Sequence, residues 1–87
     1  FQNYPNPFNP STQITFDVPT TEFITLRVYN LLGQDVQTIV NKSMIPGRYT
    51  VEWNGNDMMN NSVASGVYFY ELRGESFISR KKMLLIR

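Results

Sequence analysis

The chain has 87 residues, which allows one domain with a single core of modest depth. Aromatic residues make up 14% and charged residues 17% of it, and the net charge is +1; these values exclude a disordered polar tail, and they exclude a strong overall attraction to nucleic acid or an acidic membrane surface. Cysteine and histidine are absent, so we expect no disulfide, no enzymatic activity and no cofactor, and no apolar run approaches the roughly 18 residues of a membrane span.

The first twelve residues predict an extended, proline-rich arm. Prolines at positions 5, 7 and 10 push the residues before them toward extended conformations, and they lack the backbone donor that a central strand needs. Tyr4 and Phe8 are expected to pack down as anchors. The arm would protect a sheet edge from unwanted pairing. A proline-rich ligand for an aromatic groove is the alternative interpretation of the same stretch.

The rest of the chain alternates apolar and polar residues with a period of two, which predicts strands and no helix. Gly33 suits a positive-φ position in the turn "NLLGQ", and a Pro46-Gly47 pair marks another turn. The aromatic run in 67–73 is typical of a central strand. The predicted strands are 13–18, 23–30, a short 35–40, 48–53, 67–73 and 77–86. Val63 is expected to add a short bridge, so the pattern predicts a single all-β domain, an antiparallel sandwich of about seven strands.

The segment 54–66 is rich in asparagine and glycine and is predicted to be a loop. Asn54, Asn56, Asp57 and Asn60 supply oxygen atoms of the kind that hard cations bind. These residues are therefore weak candidates for a metal site, although only one of them is a carboxylate. Asx side chains also hydrogen-bond nearby backbone in ordinary turns, and a hydrogen-bonded turn is the favoured interpretation. Among the other acids, Glu52 and Glu71 are expected to face solvent.

The last nine residues, "SRKKMLLIR", hold half of the basic side chains of the chain. On a strand, adjacent basic residues point to alternate faces, so they do not form a stripe for nucleic acid. The alternation allows a core strand with Met83 and Leu85 on one face and Leu84 and Ile86 on the other. It equally allows an exposed final strand that another protein recognises through its edge and its charges. We expect the chain to be the end of a longer protein.

Five stretches in order, "NYPNPFNPST", "VYNLLGQDV", "PGRYTVEWNGND", "ASGVYFYEL" and "KKMLLIR", resemble the type A C-terminal sorting domains of the type IX secretion system. Residues 53–70 are also similar to the immunoglobulin-like part of flagellar hook-capping proteins. The resemblance implies an immunoglobulin-like β-sandwich of seven strands attached to a separate cargo. By position, the sorting signal would be Lys81, Lys82, Met83, Leu84, Leu85, Ile86 and Arg87. Structural motif positions would be Pro5, Pro7, Gly33, Val36, Trp53 and Gly66.

The resemblance also implies a function. The domain would direct its cargo from the periplasm through the outer-membrane translocon, and a sortase would then remove it and join the cargo to the cell surface. Translocon and sortase proteins would be its partners, with no nucleic acid and no membrane insertion. Two alternatives remain. One is a carbohydrate-binding module that presents Tyr29, Trp53, Tyr68, Phe69 and Tyr70, and the other is a structural spacer that stabilises a neighbouring domain.

Overall fold

A computed structural model describes residues 11–86 of the chain, which form six strands and no helix. The all-β class is confirmed, and the expected count of about seven strands is corrected to six within this part of the chain. The predicted arm, with Pro5 and Pro7, lies outside the described residues except for its last two positions. The strands are β1 (Thr12–Val18), β2 (Glu22–Asn30), β3 (Asp35–Met44), β4 (Gly47–Trp53), β5 (Gly66–Arg73) and β6 (Ile78–Leu85).

Two segments account for the differences from the prediction. The third strand was expected to stop at residue 40, but β3 continues to Met44 because its polar residues 41–43 pair with β2. The loop 54–65 holds an isolated bridge between Asn56 and Ser62. The amide of Val63, where the bridge was expected, donates to the carbonyl of Gly55. β3 is therefore longer than its hydrophobic pattern predicts. The short bridge expected at Val63 forms between Asn56 and Ser62 instead.

The strands form two antiparallel sheets. β1 pairs with β4, and the second sheet has the order β3-β2-β5-β6. β5 is thus an interior strand of its sheet, as its aromatic run predicted, and β3 and β6 are the two edges. The two sheets face each other across the core, with one side of each sheet turned to solvent.

The core follows from the alternation of β1 and β2. Every second side chain of β2 is buried, and Ile24, Leu26 and Val28 are 0% exposed. Ile24 and Leu26 share a cluster with Ile14 and Phe16 of β1, and Val28 belongs to a second cluster with Trp53. Burying one such aliphatic side chain stabilises the fold by about 1.5–3 kcal/mol. These contacts between the sheets fix which face of each strand is inside.

Both limits of the described chain lie at one end of the sandwich, which we call the upper end. Thr12 at the start of β1 lies opposite Trp53, and Leu85 at the end of β6 lies opposite Gly66. The rings of Trp53 and Tyr68 meet edge to face with centroids 5.2 Å apart. Leu85 belongs to the same buried cluster. The chain therefore enters the fold close to where β6 leaves it.

The opposite, lower end holds the turns between β1 and β2 and between β5 and β6. Glu22 connects the two turns, because its Oε1 accepts hydrogen bonds from the amides of Glu75, at 2.8 Å, and Ser76, at 3.3 Å. Thr20 donates to the other carboxylate oxygen at 3.0 Å.

Within residues 11–86, the structure contains no helix long and apolar enough to cross a membrane.

Candidate functional site

The predicted signal segment, 81–87, occupies the second half of β6 and the residues after it. β6 is an edge strand whose partner in the sheet is β5. Its pairing runs in continuous register from Arg73 opposite Ile78 to Gly66 opposite Leu85. Within residues 11–86, no further strand lies on the other side of β6. Arg87 lies outside the described residues.

The two faces of the segment differ as the alternation predicted. Leu85 is 4% exposed, and Met83 packs against both buried clusters of the core. Leu84 and Ile86 point the other way and are 64% and 62% exposed. The structure therefore combines the two interpretations that the sequence left open. One face of the segment belongs to the core, and the other is available at the surface.

Two basic residues of the segment carry uncompensated charge. Lys81 and Lys82 are both exposed, and within the described residues neither forms a salt bridge. Their neighbour Arg80 does, because its Nε lies 2.7 Å from Oε2 of Glu71. Lys82 is on the same face of β6 as Leu84. This face thus presents a cation beside an apolar side chain at the edge of the sheet.

Glu71 is the anion that holds Arg80, and the prediction that it faces solvent is wrong. Its side chain is 8% exposed, and its Oε1 also forms a salt bridge with Nε of Arg73 at 3.4 Å. The hydroxyl of Tyr29 donates to its Oε1 at 3.4 Å. Partial burial raises the pKa of Glu71, but the hydrogen bond from Arg80 and the charges of both arginines outweigh this effect, so its pKa lies below the ordinary value.

Several exposed apolar side chains lie at the upper end of the sandwich. Within residues 11–86, nine large hydrophobic side chains are exposed, and six of them belong to segments that meet at this end. Residues 58 and 59 are placed there because the amide of Met58 donates to the carbonyl of Val36 at 3.0 Å. We call the six exposed apolar side chains that share this end of the sandwich the apolar rim. Its members are Leu31, Leu32, Met58, Met59, Leu84 and Ile86.

The structural motif positions lie mostly at the same end. Gly33 has a φ of 80°, as predicted, in a turn that Asn30 organises by accepting from the amides of Leu32 and Gln34. Val36 is buried beside Trp53, whose indole donates to the carbonyl of Asn56 at 2.9 Å. Gly66 begins β5 opposite Leu85. These positions support the upper end, while Pro5 and Pro7 lie outside the described residues.

The asparagine-rich loop forms a network of hydrogen bonds. Oδ1 of Asp57 accepts from the amides of Met59 and Asn61 at 3.0 and 2.9 Å. Oδ1 of Asn54 accepts from the amide of Asn56 at 3.1 Å, and Oδ1 of Asn60 accepts from the side-chain amide of Asn56 at 2.9 Å. Each candidate ligand oxygen named here thus has a donor within the loop. In the described part of the chain, no three acidic side chains lie close enough together to hold a metal ion.

The five aromatic candidates for carbohydrate stacking do not form one platform. Trp53 and Tyr68 are 1% and 7% exposed, so they are core residues. Tyr29 and Phe69 are half-buried neighbours across β2 and β5. Together with Leu31 they line an open depression of about 400 Å³ on the outer face of the sheet. Tyr70 is half-buried and packs against the core.

The sequence analysis did not identify two carboxylates that hold the hairpin of β5 and β6, which carries the signal segment. Glu71 binds Arg80 in the middle of β6, and Glu22 binds the turn before β6. The pKa of Glu22 lies below its ordinary value because, although burial raises it, hydrogen bonds from Thr20, Glu75 and Ser76 outweigh that effect. The sequence feature that could have identified Glu71 is its charge, since it directly follows the apolar and aromatic residues 67–70 of β5.

Comparisons with known proteins agree with this architecture. The sequence matches the family described as the secretion system C-terminal sorting domain over residues 2–86. No curated protein matches it. The fold is similar to that of FlgD from P. aeruginosa, with a TM-score of 0.69 and 16% identity over 95% of this chain and 64% of that one.

A second FlgD structure, from Xanthomonas campestris and described in connection with hook capping in flagellar assembly, has a TM-score of 0.59 at 16% identity, over 86% of this chain and 55% of that one. At this identity the likeness shows the fold alone, an immunoglobulin-like sandwich. This chain spans less than two thirds of the length of either FlgD chain. The family match covers nearly all of the sequence, and the chain therefore belongs to the secretion system C-terminal sorting domain family.

Proposed function

Because the chain belongs to this family, we propose that it directs an attached cargo protein across the outer membrane through the type IX secretion system. The observation that carries the proposal is the form of the signal segment. Met83 and Leu85 hold it to the folded domain, while Lys82, Leu84 and Ile86 face outward on an edge strand. A segment held in this way is a rigid recognition surface that needs no unfolding to be bound.

A receptor has three features to recognise in this segment. The open edge of β6 offers backbone donors and acceptors to an added strand. The two exposed lysines attract an acidic surface and accelerate association with it. Leu84 and Ile86, which belong to the apolar rim, give the apolar contact area that desolvates the centre of an interface. We infer that translocon proteins bind this combination, and Arg87 is included in the proposed signal by its position.

The domain acts by being bound, without chemistry of its own. Its proposed route leads through the periplasm to the cell surface, with a sortase as the partner that removes the domain and attaches the cargo. Residues 1–87 form one unit in this proposal, in which residues 1–12 are the extended arm between cargo and sandwich. The arm leads to β1 at the upper end, which also carries the signal segment.

The proposal is tested by changing the outward face without disturbing the core. Residues 1–87 are fused to a periplasmic reporter in a bacterium that has this secretion system, and Lys82→Glu with Leu84→Asp is introduced. The matched control is Lys42→Glu with Ile45→Asp, because Lys42 is also exposed on an edge strand and Ile45 is 67% exposed. We expect loss of extracellular reporter for the first pair and normal export for the control.

Circular dichroism and thermal melting establish that both variants are folded. Normal export of the folded Lys82→Glu, Leu84→Asp variant would contradict the proposal. Equal loss of export in the control would also contradict it, because the effect would then not belong to the signal segment.

The outer-face depression favours one second candidate, a carbohydrate-binding module. Tyr29 and Phe69 provide neighbouring aromatic surfaces there, and the charged Arg80 lies at its border. Calorimetry with a panel of polysaccharides tests this function. Binding that is abolished by Phe69→Ala in a folded domain would support it, and the absence of binding across the panel would dismiss it.

A further inference from the structure

The inner face of β6 gives the strand little hydrophobic anchorage. The inward-facing residues of its second half are Met83 and Leu85, which belong to the core. The corresponding residues of its first half are Ser79 and Lys81, and Lys81 is exposed. A strand whose buried face is partly polar is weakly specified in register. The apolar pattern alone therefore does not determine which residues of β6 lie opposite β5.

Glu71 and Arg80 supply what the apolar pattern lacks. They lie directly opposite each other in the pairing of β5 with β6, and their 2.7 Å contact is the shortest of the three salt bridges in residues 11–86. The carboxylate is nearly buried, and a buried charge is costly unless it is paired. Tyr29 of β2 bonds the same carboxylate. One side chain thus joins three adjacent strands at the register that is observed.

We propose that Glu71 and Arg80 set the register of β6 and so decide which residues the signal segment presents. A slip of one residue would turn Lys82 and Leu84 toward the core and would leave Glu71 without Arg80. A slip of two would keep Lys82 on the outer face but place it opposite Glu71, where its charge would be paired with the carboxylate instead of being free. Arg80 is thus a positioning residue for the signal, although no receptor needs to touch it. The effect of Arg80 on export rests on the proposed function, whereas its effect on the register of β6 does not.

The register is tested first in the isolated domain, as residues 1–87. In Arg80→Met, which keeps the length of the side chain but not its charge, we expect amides of β6 to exchange with solvent about tenfold faster or more, while amides of β2 stay within about twofold of wild type. Arg80→Lys should restore part of the protection. Arg73→Met is the matched control, because Arg73 contacts the same carboxylate at 3.4 Å, and it should have a smaller effect.

Nuclear magnetic resonance identifies the register directly through contacts between backbone protons of β5 and β6. In wild type these should follow the pairing of Tyr68 with Met83. In Arg80→Met they should weaken or appear at shifted positions. Unchanged contacts together with unchanged exchange in β6 would overturn the proposal, and so would an equal rise in exchange across the whole sheet, which would mean ordinary destabilisation.

Export then links the register to the signal. Ile24→Val lowers stability in the core without touching the pair, and it serves as the control for lost stability. We expect Arg80→Met to reduce export and Ile24→Val to leave it normal. Reduced export with an intact β6 register would overturn the positioning role while leaving the sorting function in place. A loosened β6 with normal export would instead count against the sorting function and leave the register role standing.

Discussion

Strands β2 and β6 belong to the same sheet but are held in it by different interactions. β2 is an interior strand, and its inward side chains Ile24, Leu26 and Val28 are fully buried. β6 lies at the edge, and it combines two apolar anchors with one salt bridge to a nearly buried carboxylate. The difference teaches that a strand can be fixed in place without being covered, provided that a specific polar contact replaces part of the apolar contact.

This difference also separates stability from recognition along the chain. The free energy of unfolding depends mainly on β1, β2 and the cluster between the sheets, because burial of apolar area dominates it. In the proposed function, recognition depends on side chains of β6 that the core does not use. The two requirements therefore conflict little, except at Glu71 and Arg80, where a structural contact also determines what the surface presents.

The largest expected effect is in β2. Leu26→Ala leaves a cavity among fully buried neighbours, and we expect the free energy of unfolding to fall by about 2–5 kcal/mol. Urea denaturation measures the change. A loss below about 1 kcal/mol would break the comparison, because it would show that β2 is no better anchored than a surface strand.

The next effect is in the turn that leads into β6. A Cβ added at Gly74 would lie 2.5 Å from both Oε1 of Glu22 and the ring of Phe77, so Gly74→Ala must displace the carboxylate of Glu22, the ring of Phe77 or both. We expect a loss of about 1–3 kcal/mol, measured by thermal melting, together with faster exchange at Glu75 and Ser76. An unchanged melting temperature would show that this turn tolerates the shift and that Glu22 does not hold the hairpin.

A smaller, pH-dependent effect is expected at Glu71. Because its pKa is lower when folded, its stabilising contribution is complete above the ordinary value of 4.5 and is lost as the pH falls through the lowered value. Glu71→Gln should therefore be less stable than wild type by about 1 kcal/mol at neutral pH, and the difference should shrink on acidification. Denaturation curves at several pH values measure it. A difference that does not depend on pH would contradict the role of the charge.

The smallest effect on stability is expected on the outward face of β6. Leu84 is 64% exposed, so Leu84→Ser should change the free energy of unfolding by less than about 0.5 kcal/mol. Its inward neighbour provides the contrast, because Leu85→Ser should be strongly destabilising. Similar losses in the two variants would show that both faces of β6 are structural, and the comparison with β2 would then fail.

The sequence predicted most of the strands because alternation records which face is buried. β1, β2, β4 and β5 each begin one residue before the expected position, and β6 is one residue shorter at each end. The alternation failed in residues 41–44, where β3 lies at the edge and exposed polar side chains carry no period. The segment 54–65 is a loop held by Asx hydrogen bonds, as predicted, and only the position of the short bridge differs, because it joins Asn56 to Ser62.

The sequence predicted which side chains of the signal segment face inward and which face outward, and the role of the segment as a signal stays a prediction. The signal segment was placed by its charge, by its alternation and by the resemblance of "KKMLLIR" to a family. The role of Glu71 could not be predicted, because it depends on Arg80 nine residues later and on Tyr29 forty-two residues earlier. Only the strand register brings these three side chains together, and no local pattern encodes it.

The convergence of both chain limits at the upper end has a mechanical consequence. Suppose that a receptor holds the chain at Ile86 while cargo pulls on the chain ahead of Thr12. Tension then acts across the strands, so hydrogen bonds at the upper end would break one after another, as in a zipper, instead of resisting together. Pulling in this geometry would open the sandwich from that end, strand by strand, at a lower force than pulling along the strands would need.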